Sequence, residues 1–224
     1  MSAARNKFGP RPVRAARKAI RMVRSALYSL IKRIPAFHFL GAYEPKQAPI
    51  TLSVWFFQKV LGFNRKAYWG VHFSSKVVQP QNIVVGCDSN PGIEPGCYIQ
   101  GIGPLVIGDY TQIAANTSII TSNHDVYNLD AAVQGSVAIG SYCWIGSNCV
   151  ILPDVTLGDF TIVGAGAVVT KSFPEGHCII AGNPARKLRD LDPALCVPKT
   201  SENAYIGYLR AQDFDQYRRD CLWI

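Results

Sequence analysis

The first 43 residues contain no aspartate or glutamate, and the first acid is Glu44. Ten of the 23 basic residues lie between Arg5 and Arg33, so the formal charge of +8 belongs to one arm. The rest of the chain sets 13 basic residues against 15 acids and is close to neutral. A basic surface spread over a folded face is therefore missing, and a nucleic-acid partner is not expected. There is no run of eighteen uninterrupted apolar residues, so no segment is expected to span a bilayer. No compact apolar stretch leads into a small-residue cleavage site, and export is not expected either. The seven cysteines, an odd number, show no CxxC spacing. A disulfide framework is not expected, which points to a reduced, cytoplasmic setting.

A fixed period is present instead, and at 224 residues the chain can bury one sizeable core with a small appendage. From Ile139 an aliphatic residue returns every six positions, at Ile139, Ile145, Ile151, Leu157, Val163 and Val169. Four places after each stands a small or apolar residue or a phenylalanine: Cys143, Cys149, Val155, Thr161, Ala167 and Phe173. Upstream, Ile107, Ile113 and Ile119 keep the same beat, and Ile93 and Ile99 join it with one slip. Six residues fit neither the helical period nor a simple strand alternation. They fit a coil of three short strands per turn, in which residues eighteen apart stack. Ile139 then lies beneath Leu157, Ile145 beneath Val163 and Ile151 beneath Val169, about 4.8 Å apart. Glycine follows the anchor at 108, 140, 146, 158 and 164, where a corner needs a positive φ or a close backbone approach. Cys143 and Cys149 share one register and read as packed corner residues, which hides them as nucleophiles.

This pattern resembles the hexapeptide-repeat acyltransferases, most nearly the galactoside, maltose and polysaccharide O-acetyltransferases. The resemblance implies a mainly β protein, a left-handed parallel β-helix, whose handedness departs from the usual right-handed crossover. The expected divisions are a basic amphipathic arm over 1–47, an aromatic capping segment over 48–76, the β-helix over 77–185 with a loop at 125–138, and a capping tail over 186–224. The tail, with Tyr205, Tyr208, Leu209 and Phe214 facing inward, is expected to supply a short helix over the far end of the coil. Such covers are needed because open ends would expose unpaired strand edges.

The beat breaks at TSNHDVYNLD, residues 121–130. One loop in an otherwise tight coil offers a wall and a lid. In the family this resembles, Asn-His stands at the mouth of that loop, and Asn123 and His124 match it. The resemblance implies that His124 is the general base of acetyl transfer from acetyl-CoA to an alcohol. An imidazole, with an ordinary pKa of about 6.5, can take the proton of a hydroxyl as it attacks the thioester. Neither a metal nor a covalent intermediate is required. The oxyanion donor is left open among Gln100, Asn116 and a backbone amide, because "PGCYIQGIGP" lacks the family's upstream asparagine. Asp125 and Glu94 are the carboxylates available to orient His124. Asn123, Asp125 and Trp144 are the candidate acceptor contacts, a Trp face suiting a sugar ring or simply filling space.

The string from Trp144 to Arg189 resembles the family's last coils and exit. The resemblance implies that Ser147, Ala165 and Thr170 meet the pantetheine arm or adenine, and that Lys171, Arg186 and Arg189 face the nucleotide phosphates. It also implies a homotrimer with His124 of one chain facing the exit residues of the next. "GAGAVV" is not a dinucleotide fingerprint, since no strand and helix frame it. Without the resemblance, Lys171 and the arginines read as a solvated cationic surface.

On the arm, Val13, Ala16, Ile20, Val23, Leu27, Leu30 and Ile34 form one helical stripe opposite Arg14, Arg17, Lys18, Arg21 and Arg24. Residues 5–34 can lie on an anionic membrane or pack on the trimer. The expected function is acetyl-CoA-dependent O-acetylation of a sugar hydroxyl in polysaccharide, capsule or lipid-linked glycan synthesis. Serine, an amino sugar or a xenobiotic alcohol are alternative acceptors. A catalytically silent β-helix scaffold is the alternative of another class, and a zinc-dependent anhydrase-like site would need three converging histidines where the repeats hold only His124.

Overall fold

The computed structural model describes Met22 and residues 30–31, 34–41, 49–199 and 204–224. All ten basic residues of the arm lie outside these residues, as does the apolar stripe except for Leu30 and Ile34, which are exposed. Short strands wind through three mainly parallel sheets in turn. The first face holds Lys76–Val78, Tyr98–Gln100, Ser118–Ile119, Val150–Ile151 and Val168–Val169. The second holds Ile83–Val85, Leu105–Ile107, Val137–Ile139 and Val155–Leu157. The third holds Gln112–Ile113, Trp144–Ile145, Thr161–Val163 and Cys178–Ala181, with Arg186–Asp190 antiparallel at its edge. The chain passes from first to second to third face and back, so it coils about one axis as a triangular prism.

The stacking follows the six-residue beat. Ile139 pairs with Leu157, Ile145 with Val163 and Ile151 with Val169, and all six are at most 2% exposed. Ile93 is the exception among the expected anchors. It packs with Phe39, Ile50 and Tyr205 outside the prism, because residues 86–97 cross the third side without a strand. The rungs of that early coil are Ile83 and Val85, both fully buried.

At the corners, close approach rather than backbone hand is what demands glycine. A Cβ on Gly108 would stand 2.5 Å from Ser141 N, and one on Gly140 would stand 2.6 Å from Asp159 N. The left-handed φ falls two places later, on Tyr110, Tyr142 and Phe160. Their rings stack along the corner, Tyr110 on Tyr142 at 5.7 Å and Tyr142 on Phe160 at 4.6 Å, with His177 following at 5.1 Å. Inside the same corners, small donors tie each coil to the next. Thr111 Oγ1 donates to Gly140 O at 2.7 Å, Cys143 Sγ to Gly158 O at 3.3 Å and Cys149 Sγ to Gly164 O at 3.2 Å. Burial pushes the Cys143 thiol up to about 11 and also raises Cys97, Cys149 and Cys178. These thiols stay protonated and serve as packing donors.

The leading end of the prism is covered by Leu52–Trp55, which continues as a π-helical turn over Phe56–Val60. Fully buried Gln58 accepts from Val71 N at 3.1 Å and from Tyr208 Oη at 2.7 Å, and its Nε2 donates to Trp69 O at 2.8 Å. The tail does not cover the far end, as the sequence suggested. It returns to the leading end, where Tyr208 N donates to Tyr68 O at 2.9 Å and Trp223 N to Gln81 O at 2.9 Å. Its helix, Phe214–Cys221, sets Phe214 5.6 Å from the Tyr68 ring. The physical reason lies in the aromatic pair Tyr68 and Trp69, which offers the tail a larger apolar partner than the trailing coil does. At the trailing end the antiparallel strand Arg186–Asp190 covers the edge of the third face.

Replacing Ile151 with alanine should cost about 2–5 kcal/mol in urea unfolding, as for other fully buried rungs. The raised thiols give a pH dependence of known sign. The stability that Cys143 contributes is intact below the ordinary cysteine value of 9.0 and is lost as pH rises toward about 11. Cys143→Thr, which keeps a donor, should flatten the fall in unfolding free energy between those limits.

Candidate active site

Three ladders widen at one place. Ile107 pairs with Ile139, Ile113 with Ile145 and Ile119 with Ile151, a separation of 32 residues where 18 is the rule. Fourteen residues are thus inserted at the corner between first and second faces without displacing a rung. They do not form an irregular loop. Ser122–His124 and Ala132–Gln134 pair as an antiparallel hairpin, with His124 opposite Ala132, and the second face resumes at Val137.

The hairpin is fixed at its root by Thr121. Its N–H donates to Gln100 Oε1 at 3.0 Å, its hydroxyl donates to Gln100 O at 3.0 Å, and the same hydroxyl accepts from Gly103 N at 2.9 Å. Gln134 Nε2 adds a bond to Ile102 O at 2.6 Å. At the tip, Asp125 Oδ1 accepts from Tyr127 N at 2.8 Å and Asn128 N at 2.9 Å, an Asx turn.

His124 is exposed, and its Nδ1 lies 2.9 Å from Leu129 O. A carbonyl oxygen can only accept, so Nδ1 carries a proton, and in the neutral ring Nε2 is the nitrogen with the lone pair. The group that orients the imidazole is therefore a backbone carbonyl five residues on. Neither Asp125, engaged in the turn, nor Glu94, in a separate cleft, has that role. Sequence inspection could not single out Leu129, since the contribution comes from its main chain. Neighbouring strand residues face opposite ways, so Asn123 lies on the other side of the hairpin from His124.

A cleft of about 220 Å³ runs beside the third face, lined among others by Asn90, Glu94, Gln112, Ala114, Trp144 and Ser147. Trp144, 57% exposed, lies between Gln112 and Ile162 in the ladder. The structure thus brings Trp144 and Ser147 together. His124 does not line this cleft, being on a different corner. Asn90 and Gln112 carried no signal that separates them from ordinary coil residues.

Ser147 and Ala165 occupy equivalent corners of successive coils, and Gly166 N donates to Ser147 O at 2.8 Å. Thr170 and Lys171 sit across the first face from them, on the same corner as His124 and two coils later. Two strand spacings put that offset at about 10 Å along the axis. Lys171 lies over the Phe173 ring at 5.6 Å, and Arg186 and Arg189 are exposed on the closing strand. Of the two side chains considered for the oxyanion, Gln100 is beside the hairpin root, whereas Asn116 occupies the far corner with φ 59°. His38, His72 and His177 make contacts elsewhere, with Tyr205, Ser74 and Phe160 respectively.

Residues 136–171 match the family model described as bacterial transferase hexapeptide (six repeats), so the coils over that stretch are hexapeptide repeats of that type. The chain is similar to galactoside O-acetyltransferase of Escherichia coli (strain K12), 37% identical over 93 residues, 39% of this chain and 45% of that one. It is also similar to a protein of the same strain with the provisional name colanic acid biosynthesis acetyltransferase WcaF, 30% identical over 118 residues, 52% of this chain and 63% of that one. Among solved structures, galactoside acetyltransferase in complex with coenzyme A matches with a TM-score of 0.50 at 26% identity, over 63% of this chain and 70% of that one. The chain thus spans 45% to 63% of the length of these two curated relatives.

Long-range 15N NMR of the imidazole should show the Nδ1-protonated tautomer of His124. Asp125→Ala, which strips two acceptor contacts from the turn, should loosen the hairpin by about 1 kcal/mol and make that ring signal exchange between tautomers.

Proposed function

We propose that this chain is an acetyl-CoA-dependent O-acetyltransferase acting on a sugar hydroxyl in polysaccharide, capsule or lipid-linked glycan synthesis. The observation that carries the reading is His124, held outside the prism on a rooted hairpin with Nε2 left as an acceptor. In the reaction Nε2 takes the proton of the acceptor hydroxyl while its oxygen attacks the thioester carbonyl. The tetrahedral oxyanion collapses, the carbon–sulfur bond breaks, and the imidazolium returns the proton to the departing thiolate of coenzyme A. Gln100 or a backbone amide beside the hairpin root is the donor we assign to the oxyanion.

Coenzyme A is the cofactor of this reading, and in it Ser147, Ala165 and Thr170 meet the pantetheine arm or adenine while Lys171, Arg186 and Arg189 face the phosphates. The similarity to a relative crystallised with coenzyme A supports the choice of cofactor. The working unit is a homotrimer of left-handed β-helices, with Trp144 of one protomer closing an acceptor pocket opposite His124 of the next. Support comes from the hairpin tip, where Val126 is 81%, Tyr127 97% and Leu129 73% exposed, apolar surface that a neighbouring prism would cover.

His124→Ala should lower turnover by roughly 10²–10⁴-fold in an assay of free thiol release with nucleotide-linked or lipid-linked sugars, while calorimetry shows coenzyme A still bound. Undiminished turnover would end the base assignment. A protein with no coenzyme A-dependent activity before or after the substitution would be a silent scaffold.

A further inference from the structure

The segment that leads into the prism is chemically unlike the rest of the sequence. Residues 1–87 carry fifteen basic residues against Glu44 alone, whereas residues 88–224 carry eight against fourteen acids. Within the described part of this region, residues 49–87, stand Lys59, Arg65, Lys66 and Lys76 and no acid. The same stretch leaves Phe56, Val60, Leu61, Phe63 and Phe73 between 44% and 52% exposed.

These side chains form one patch. Phe57 stacks on Phe73 at 4.7 Å, Phe63 lies 6.3 Å from both, and Phe56 lies 5.9 Å from Phe57. A cavity of about 510 Å³ adjoins it, lined among others by Gly62, Asn64, Arg65, Lys66, Lys76 and Gln79. Leu61 and Phe63 flank the cavity's own Gly62, so aromatic surface and cationic hollow share one rim.

We propose that this end of the prism is a membrane-docking face, in which Phe56, Leu61, Phe63 and Phe73 enter the interfacial layer of a bilayer and the phosphate of an anionic phospholipid occupies the Arg65, Lys66 and Lys76 cavity. Apolar side chains beside cations match the interface of an anionic leaflet, and the acids of the returning tail, Asp213, Asp215 and Asp220, are not among the residues that line the cavity. A second copy of the same face is a poor match, because a two-fold contact would set cations against cations. Among the described residues no helix is long and apolar enough to cross a membrane, so the face lies on the bilayer. The inference extends the proposed acceptor class by bringing the prism to where lipid-linked glycans reside. It is read without turnover, so its failure and that of the acetyl-transfer reading are distinguishable.

The test is sedimentation of the full chain with vesicles of phosphatidylcholine, alone or mixed with phosphatidylglycerol. The chain should partition onto the mixed vesicles, and Lys66→Glu with Lys76→Glu, both at exposed positions, should weaken that binding by roughly tenfold or more. Phe63→Ser with Phe73→Ser should weaken it as well, with an unchanged thermal unfolding curve and unchanged mass by light scattering. Glutamine at Arg14, Arg17, Lys18, Arg21 and Arg24 should leave phosphatidylglycerol-dependent binding in place, separating this face from the arm. Binding indifferent to the Lys66 and Lys76 changes, or abolished by the arm changes alone, overturns the proposal. So does a fall in mass in the Phe63 and Phe73 variant, which would give the face to a second copy.

Discussion

Each strand of the prism takes its hydrogen bonds from the coil above and the coil below, and that fixed rise governs everything else in the molecule. Gly140 N meets Leu157 O at 2.8 Å, Gly146 N meets Val163 O at 2.8 Å and Gly158 N meets Phe173 O at 2.9 Å. A rise set by backbone bonds leaves no play in the interior, so rungs must match in size and corners must be nearly bare. Thr111, Cys143 and Cys149 satisfy both demands, being small enough to fit and able to donate to the neighbouring coil. The cost of such regularity is chemical silence. Aliphatic ladders and protonated thiols offer neither a base nor a free donor, which confines reactivity to the corners and outer faces.

An insertion is tolerated in such a stack only if it takes nothing from the ladders. The segment carrying His124 meets that condition by pairing with itself. Its bonds run between Ser122–His124 and Ala132–Gln134, and Thr121 with Gln134 ties the root to Gln100, Ile102 and Gly103. The rungs on either side remain stacked, Ile119 on Ile151 and Ile107 on Ile139. The imidazole is therefore both solvent-facing and oriented, two properties that a free loop and a packed coil respectively lack.

What could be read from the sequence follows from which interactions are periodic. Ladder partners eighteen apart were legible because each rung repeats its neighbour, and the small corners were legible for the same reason. Ile93 was misleading because the Pro-Gly turns around it supply an anchor residue without a strand. The hairpin was visible only as a gap, since a three-residue strand has too few alternations to declare itself and Asp125 announces a turn in any context. Leu129 was illegible because its carbonyl, not its side chain, meets His124. The corner stack of Tyr110, Tyr142, Phe160 and His177 also escaped notice, because these residues recur beside an inserted segment and their likeness is aromatic rather than identical. The tail was assigned a helix on good grounds and the wrong end on poor ones, because proximity along the chain says nothing about a segment that can travel back past Tyr142, whose Oη donates to Lys199 O at 3.4 Å.

The prism also keeps its two cationic regions apart. The first face stacks five strands from Lys76 to Val169, which at the strand spacing spans about 19 Å. Arg65, Lys66 and Lys76 stand at one end of that length, and Lys171, Arg186 and Arg189 at the other. At physiological salt the Debye length is about 8 Å, so neither set feels the other appreciably. Acidic residues fill the sequence in between, with Asp88, Glu94, Asp109, Asp154 and Asp159 on the intervening coils. Anions drawn to the two ends would bind independently, and neither would be steered onto the other's site. His124 follows the third of the five strands, about 10 Å along the axis from each end. A rigid spacer of that length between the two proposed anion sites is the arrangement that separate donor and acceptor molecules would need if both are to meet the proposed base.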